Sequence, residues 1–222
     1  MANGRALQRW TLAEEVAHAV SHGVGVALAI GGLATLVTLA ALRGDAWHVA
    51  SSAIFGTTLV LLYGASTVYH SIPAWVRFRR TKRILRILDH SAIYLAIAGT
   101  YTPFTLGPLR GPWGWALFGV VWGGAVVGIV FKIVAVERYP VFSTALYAVL
   151  GWCVVVAFEP LLEALAPGGI ALLFAGGLCY TIGIGFYAWT SLRWSHFVWH
   201  LFVLAGSVLH YLAVLLYVLP RG

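Results

Sequence analysis

Charged side chains are scarce in this 222-residue chain, and acidic ones are the scarcest. Asp and Glu total 7 residues against 14 Lys and Arg, so that only 9% of the chain is charged. Hydrophobic residues make up 61%, and the mean hydropathy is +0.89. A soluble globular domain carries about 25% charged residues. The composition therefore excludes a soluble domain and indicates an integral membrane protein.

Cysteine is also nearly absent, and the chain shows no internal repeat or low-complexity tract. Cys153 and Cys179 both lie inside apolar runs and form no CxxC pair. We therefore interpret them as small buried hydrophobic residues that say nothing about the redox compartment. The net charge of +7 does not indicate a nucleic-acid partner, because the basic residues lie between apolar runs, where membrane topology explains them.

Long apolar runs dominate the chain instead. Runs of about 18 or more apolar residues predict transmembrane helices and are too long for the strands of a membrane barrel. The predicted spans cover residues 16–42, 47–70, 87–106, 113–134, 141–158, 170–190 and 196–219. The sequence thus predicts an all-α integral membrane protein, a seven-transmembrane helix bundle over residues 16–219 that follows a polar cytoplasmic N-terminal tail, residues 1–15.

The basic residues predict how the bundle is oriented. Eleven of the 14 Lys and Arg residues lie on the side of the N-terminus. These are Arg5, Arg9, Arg77, Arg79, Arg80, Lys82, Arg83, Arg86, Lys132, Arg138 and Arg193. Only Arg43, Arg110 and Arg221 lie on the opposite side. By the positive-inside rule the N-terminus is cytoplasmic and the C-terminus is outside. We expect a multi-pass protein of the inner (plasma) membrane.

Polar residues on three spans fall at one depth in this topology. Ser66 and His70 share a face at the cytoplasmic end of span two, because they are four residues apart. Asp89 is the first polar residue of span three, and His196 and His200 stand one turn apart at the start of span seven. Ionisable residues at mid-helix cost about 2.5–3.5 kcal/mol on insertion scales and usually face a functional interior. The three spans are therefore expected to form one site.

The chemistry of this set suits zinc. His70, His196 and His200 would supply three neutral imidazole ligands, and a tetrahedral ion would keep its fourth position for water. Asp89 could bind that water, orient it or accept its proton. Ser66 could donate a hydrogen bond to the water or to a substrate carbonyl. The combination predicts a Zn²⁺-dependent hydrolysis of an amide or ester in a lipid-like substrate, with Asp89 and Ser66 as catalytic residues.

The remaining histidines leave alternatives open. His18 and His22 are also four residues apart near the cytoplasmic end of a span, so they could be the metal-binding pair instead, a polar layer around the site, or interfacial residues. His48 is expected at the outer interface, and His90 is expected to point away from Asp89. His210 lies about 15 Å deeper than the pair in span seven, so we expect it to bond a neighbouring helix.

Taken singly, each of these patterns has a simpler explanation. An HxxxH pair can be interfacial, and a serine in a membrane helix commonly bonds its own backbone. An aspartate at the start of a span can merely favour the positive end of the helix dipole. Agreement in depth across three spans is what favours a functional site.

Several of these motifs resemble one known family. They are Glu15 with His22-Gly23, Ser66-Thr-Val-Tyr-His70, Leu88-Asp89-His90, Gly99-Thr-Tyr-Thr-Pro103 and His196-Phe-Val-Trp-His200. Their order and spacing over nearly the whole chain resemble the hemolysin III family, which belongs with the progestin and adiponectin receptors in a superfamily that includes alkaline ceramidases. The resemblance implies seven helices, zinc bound by His70, His196 and His200, and Asp89 holding the zinc-bound water beside Ser66. The short outer loops argue against a large extracellular protein ligand.

Two classes of function stay open at this point. The first is the zinc-dependent intramembrane hydrolase, whose partners are membrane lipids and a lipid substrate and whose role is membrane lipid homeostasis. The second is a non-enzymatic protein with structural zinc, either a receptor-like lipid sensor or a pore-forming cytolysin. No span carries the periodic polar stripe that lines a water channel, which disfavours a pore. Gly-rich faces such as Gly123-Gly124 and Gly176-Gly177 permit a dimer without requiring one.

Overall fold

The computed structural model describes residues 10–72, 79–135 and 139–220, and nearly all of them are helical. The helices within these ranges are α1 (Leu12–Arg43), α2 (Ala46–Ser71), α3 (Arg79–Leu106), α4 (Pro112–Ala135), α5 (Pro140–Gly151), α6 (Phe158–Ala164), α7 (Pro167–Ala188) and α8 (Ser195–Ala213). A 3₁₀ turn, Cys153–Ala157, joins α5 to α6, and a π-helical turn, Val214–Val218, extends α8. Because α5, the 3₁₀ turn and α6 follow one another as a single segment, the described residues form an all-α fold with seven helical segments.

Six of these segments are long and apolar enough to cross a membrane. They are Leu12–Arg43, Ala46–Ser71, Pro112–Val134, Val141–Ala164, Pro167–Ala188 and Ser195–Val218. The remaining helix, α3, is 28 residues long, but its first half carries Lys82, Arg86 and Asp89 and is correspondingly less apolar. By helix length and composition, this is a multi-pass membrane protein.

Helix α1 starts inside the segment that was predicted to be a polar tail. The Thr11 hydroxyl accepts a hydrogen bond from the Glu14 amide at 3.3 Å, and the Glu14 carboxylate accepts one from the Thr11 amide at 2.9 Å. This reciprocal capping box satisfies two of the amides that a helix N-terminus leaves unpaired. It therefore fixes the start of α1 at Leu12 rather than at residue 16, while residues 1–9 lie outside the described residues.

An aspartate cap sets the start of α2. The Asp45 carboxylate accepts hydrogen bonds from the Trp47 and His48 amides, both at 3.0 Å. The His48 backbone amide, together with the His48 side chain, lowers the pKa of Asp45 from its usual value. The tight connection between α1 and α2 therefore turns the chain back within a few residues and holds the two helices as antiparallel neighbours.

Helix α1 lies beside both α2 and α8, which places the first and last helices of the bundle next to each other. Helix α3 packs on α2 and α4, and α7 packs on α8. The core between them includes Leu36, Phe55, Leu161 and Val214, all fully buried. Apolar side chains also cover the outside of the helices, as lipid-facing positions require. On α1 they recur every fourth residue, at Val16, Val20, Val24 and Leu28.

Candidate metal centre

Five histidines meet at the end of the bundle where α1, α3 and α8 begin and α2 ends. They are His18 and His22 on α1, His70 on α2, and His196 and His200 on α8. Ligand nitrogens of His18, His70 and His196 all lie within 4.8 Å of one another, so these three histidines could hold a metal ion. The predicted convergence of spans two and seven is therefore present, and α1 adds His18 to it.

The ring of His200 stands at a similar distance from this group. Its centre is 5.1 Å from those of His18 and His70, and 4.7 Å from that of His196. His22 lies behind it, stacked on the His200 ring at 3.6 Å with an angle of 11° between the planes. His22 thus supports His200 by parallel stacking.

Glu15 fixes the orientation of His70. Its Oε2 atom lies 2.6 Å from Nδ1 of His70, and its Oε1 atom accepts a hydrogen bond from the Lys82 ammonium at 3.1 Å. A carboxylate can only accept, so His70 carries its proton on Nδ1 and presents the lone pair of Nε2 to the cluster. A carboxylate behind a histidine in this way is the usual support of a metal-binding imidazole.

Ser21 fixes His200 in a similar way. The Ser21 hydroxyl donates its only proton to the carbonyl oxygen of His18 at 2.9 Å, and its oxygen lies 3.2 Å from Nδ1 of His200. With the hydroxyl proton on the His18 carbonyl, Nδ1 of His200 is the donor in the second bond, and Nε2 of that ring keeps a free lone pair.

Several imidazole nitrogens in this buried cluster have no partner among the described residues. They are both ring nitrogens of His18, both of His22, and Nε2 of His70. Buried polar atoms are rarely left unpaired, and each one that is calls for an explanation. A metal ion bound by neutral imidazoles satisfies such nitrogens. The residues present therefore fit a metal.

Asp89 and Ser66 lie next to the histidines, as the sequence predicted. The Ser66 hydroxyl lies within reach of the Asp89 carboxylate, and His70 also lies near that carboxylate. Ser66 is buried, and the side chain of Asp89 is 15% exposed. The pair sits on α2 and α3, so these two helices contribute a hydroxyl and a carboxylate at one edge of the imidazole cluster.

Other histidines are engaged elsewhere. Nε2 of His210 lies 2.9 Å from the carbonyl oxygen of Leu173 on α7, which confirms that His210 bonds a neighbouring helix. Nδ1 of His90 lies 2.8 Å from the carbonyl oxygen of Arg86, within its own helix, and 3.6 Å from Oδ2 of Asp89. The prediction that His90 points away from Asp89 was therefore wrong, because the ring turns back along α3 toward its neighbour. His48 lies at the start of α2, where its ring contacts Asp45 at 2.7 Å.

Trp10 covers the cluster from the end of the bundle where α1 begins. The centre of its ring lies 4.6 Å from that of His196, and 5.2 Å from those of His18 and His70. A cavity of about 240 Å³ opens beside it, lined by Trp10, Glu14 and residues 190–196. The polar lining of this cavity reaches His196, so it is a route by which water can approach the cluster.

A second cavity, of about 130 Å³, lies deeper in the bundle and is lined mainly by apolar side chains. Tyr187 and Trp199 form part of its wall, and the Tyr187 ring also packs 5.9 Å from His196. The cavity therefore lies next to the histidine cluster, with the Tyr187 ring between it and His196. Its apolar walls suit a hydrocarbon chain.

No sequence motif predicted a role in the site for Trp10, Ser21 or Lys82, and Glu15 was predicted only as part of a motif. Glu15, His18 and His22 recur at spacings of three and four, which puts them on one face of a helix. That spacing was a signal that Glu15 accompanies the histidines. No comparable pattern marks Trp10 or Lys82, because their contacts depend on how separate helices pack.

These features define a class: a multi-pass helical membrane protein with a buried histidine cluster that could hold a metal ion. The chain belongs to the haemolysin III-related family, which matches residues 10–211. It is 48% identical to "Hemolysin-3 homolog" of Bacillus subtilis (strain 168), over 94% of this chain and 96% of that protein. It is 46% identical to "Hemolysin-3" of Bacillus cereus, over 94% of each. "Monocyte to macrophage differentiation factor" of Homo sapiens is 30% identical over 96% of this chain and 87% of that protein. The resemblance inferred from the motifs is confirmed.

Proposed function

We propose that this protein is a zinc-dependent hydrolase of lipid amides or esters that acts within the membrane, near the cytoplasmic leaflet, and contributes to membrane lipid homeostasis. The observation that carries the proposal is the buried group of imidazoles with unpartnered nitrogens beside the Ser66–Asp89 pair. A metal ion that only held the helices together would not need a carboxylate and a hydroxyl at the edge of its ligands.

The donor set favours zinc. His70, His196 and His200 would hold the ion; nitrogens of the first two lie within 4.8 Å of each other and of a nitrogen of His18. An all-nitrogen, neutral set suits zinc better than magnesium or calcium, which prefer oxygen ligands. When bound, zinc would polarise a carbonyl as a Lewis acid and favour attack on it by water.

The side chains of this protein would do the remaining work. Asp89 would accept a proton from the attacking water and return it to the leaving group, as a general base and then a general acid. Ser66 would hold the Asp89 carboxylate in place through the bond between them. Glu15 would keep the lone pair of His70 directed at the metal.

The surroundings support a lipid as the substrate. The apolar cavity next to the histidine cluster is enclosed by helices that also carry apolar side chains on their outer faces. The names of the two Bacillus relatives refer to haemolysis, but a pore would need a polar-lined channel. The apolar lining of the cavity favours a lipid chain over a water-filled path.

Hydrolysis by purified protein tests the proposal. Zinc-loaded protein should release fatty acid from a ceramide, which tests the amide, or from a phospholipid, which tests the ester. Asp89→Asn should retain zinc and lower the rate by about 100-fold or more, because a proton acceptor is lost. Asp45→Asn is the matched control, since Asn also caps helices well. If wild-type protein releases no fatty acid, the hydrolase is disproved. If Asp89→Asn is as active as wild type, the role of Asp89 as proton acceptor is disproved.

A second function is favoured by one specific observation, the nearness of a fourth imidazole to the metal-binding group. A zinc ion with four protein ligands commonly has a structural role. The protein would then be a receptor-like lipid sensor in which the metal fastens α1, α2 and α8. Stoichiometric zinc together with no hydrolysis of either lipid class would favour this function.

A further inference from the structure

Four imidazole rings form a nearly regular tetrahedron in this cluster. The six distances between the ring centres of His18, His70, His196 and His200 all fall between 4.7 and 5.3 Å. We propose that His18 is a fourth metal ligand, so that the site is closed in this state and His18 must leave before water can bind. The proposal rests on the metal site of the proposed function and concerns its regulation.

The spacing of the rings matches tetrahedral coordination. With zinc–nitrogen distances of about 2.0–2.1 Å, each ring centre lies about 3.2 Å from the ion, and neighbouring ring centres lie about 5.2 Å apart. The observed distances reach 5.3 Å at their longest, between His70 and His196. If the four rings only packed against one another, nothing would make the six distances between their centres nearly equal.

The nitrogens of His18 are free to bind. The His18 side chain is fully buried, and neither of its ring nitrogens has a hydrogen-bond partner among the described residues. Leaving both unpaired carries a desolvation cost, because each buried nitrogen has lost its hydrogen bond to water and gained no other partner. A metal bond to one of them removes part of that cost and explains why a histidine stands at this position.

His22 serves as an internal comparison. It lies one turn further along α1 and also has two unpartnered nitrogens. Its ring, however, stacks on the outer face of His200 and packs against Tyr63 at 5.1 Å, so it lies behind the tetrahedron rather than at one of its corners. The two histidines of α1 are therefore assigned different roles, His18 as a ligand and His22 as a support.

Closure by His18 has a consequence for catalysis. Three protein ligands and one open position are typical of catalytic zinc, whereas four protein ligands fill the coordination sphere. The neighbouring polar cavity reaches His196 beside Trp10 and Glu14. Water entering there would take the position that His18 vacates. Movement of the first turn of α1, which Glu14 ties to the Trp194 amide at 3.3 Å, would control that exchange.

Cobalt spectroscopy tests the closed site without measuring activity. Co²⁺ replaces Zn²⁺ in tetrahedral sites, and its visible absorption changes when azide enters the coordination sphere. The wild-type cobalt protein should show no change on addition of azide. His18→Ala should retain cobalt through His70, His196 and His200, and its spectrum should change. His48→Ala, which removes a histidine at the start of α2 away from the cluster, is the control and should behave as wild type.

The results separate the two proposals. A change in the wild-type spectrum with azide would show an open position and overturn the role of His18, while leaving the hydrolase intact. If His18→Ala does not fold, X-ray absorption spectroscopy of the wild-type zinc protein tests the proposal instead by counting the imidazoles bound to zinc. A count of three rather than four would overturn the role of His18. Absence of lipid hydrolysis by both wild type and His18→Ala would disprove the hydrolase and leave the ligand assignment standing. Failure of wild type to bind either metal would overturn both.

Discussion

At the scale of single residues, Glu15 connects the metal-binding group to the basic start of α3. Its two carboxylate oxygens are shared between Nδ1 of His70 and the ammonium of Lys82. Lys82 is almost fully buried, and it also donates to the carbonyl oxygens of Tyr69 and Ile72 at 2.6 and 2.8 Å. A buried cation is tolerated only when it is paired and hydrogen-bonded. Glu15 therefore serves both the metal ligand and the ion pair.

Replacing Glu15 by Gln should weaken metal binding. The amide keeps the size of the side chain but loses the charge that holds His70 in its tautomer, and losses of this kind lower metal affinity about 10–100-fold. Competition with a chromogenic chelator measures the affinity. Glu14→Gln is the matched control, because Glu14 bonds Thr11 and Trp194 instead of a histidine. Equal affinities for Glu15→Gln and wild type would contradict the role assigned to Glu15.

At the scale of helices, the contact between α2 and α3 depends on a glycine. A Cβ atom at Gly99 would overlap the hydroxyl of Thr58, which is buried and donates to the carbonyl oxygen of Phe55 at 2.8 Å. Because α2 carries Ser66 and His70 and α3 carries Asp89, the close approach of these helices sets the distance between the carboxylate and the imidazoles.

Gly99→Ala should therefore destabilise the protein by about 1–3 kcal/mol, the usual cost of overpacking. A lower midpoint of thermal denaturation in detergent would show the loss. Gly64→Ala on α2 should be nearly neutral, since nothing lies within 4 Å of a Cβ atom there. An unchanged midpoint for Gly99→Ala would mean that α2 and α3 separate at little cost.

Helices were the most predictable part of this molecule. Apolar runs bounded by Gly and Pro located every helical segment, because helices in lipid must satisfy their own backbone. Their ends were less predictable. The Thr11–Glu14 capping box extends α1 toward the N-terminus, and α6 carries the fifth segment to Ala164 rather than to residue 158. The start of α1 and the end of the fifth segment both depend on local polar and backbone contacts, which a hydropathy pattern does not include.

The sequence predicted those features of the site that follow from the depth of each residue in the membrane. Helix spacing and topology brought Ser66, His70, Asp89, His196 and His200 to one level, and the structure places them together. The rotation of α1 about its own axis could not be deduced from depth. That rotation decides that His18 faces the imidazoles and that His22 lies behind His200, so α1 was left with open alternatives.

At the scale of the whole molecule, the predicted orientation puts the histidine cluster near the cytoplasmic leaflet. Asp45, between α1 and α2, and Ser191, between α7 and α8, lie at opposite ends of the bundle and are both exposed. In a background without Cys153 and Cys179, Asp45→Cys should react with a membrane-impermeant maleimide in intact cells. Ser191→Cys should react only after the cells are opened. The reverse pattern would place the N-terminus outside.

The position of Trp10 should make its fluorescence sensitive to whether a metal ion is bound. Its indole packs against three imidazoles, so an ion with a partly filled d shell bound there should quench its emission by short-range energy transfer. Addition of Co²⁺ should dim the fluorescence of wild type more than that of Trp10→Phe, whereas Trp115→Phe should dim as wild type does. An equal response in Trp10→Phe would place the ion away from this ring. Occupancy of the centre can thus be followed in real time, without any added dye, by light emitted from the residue that covers it.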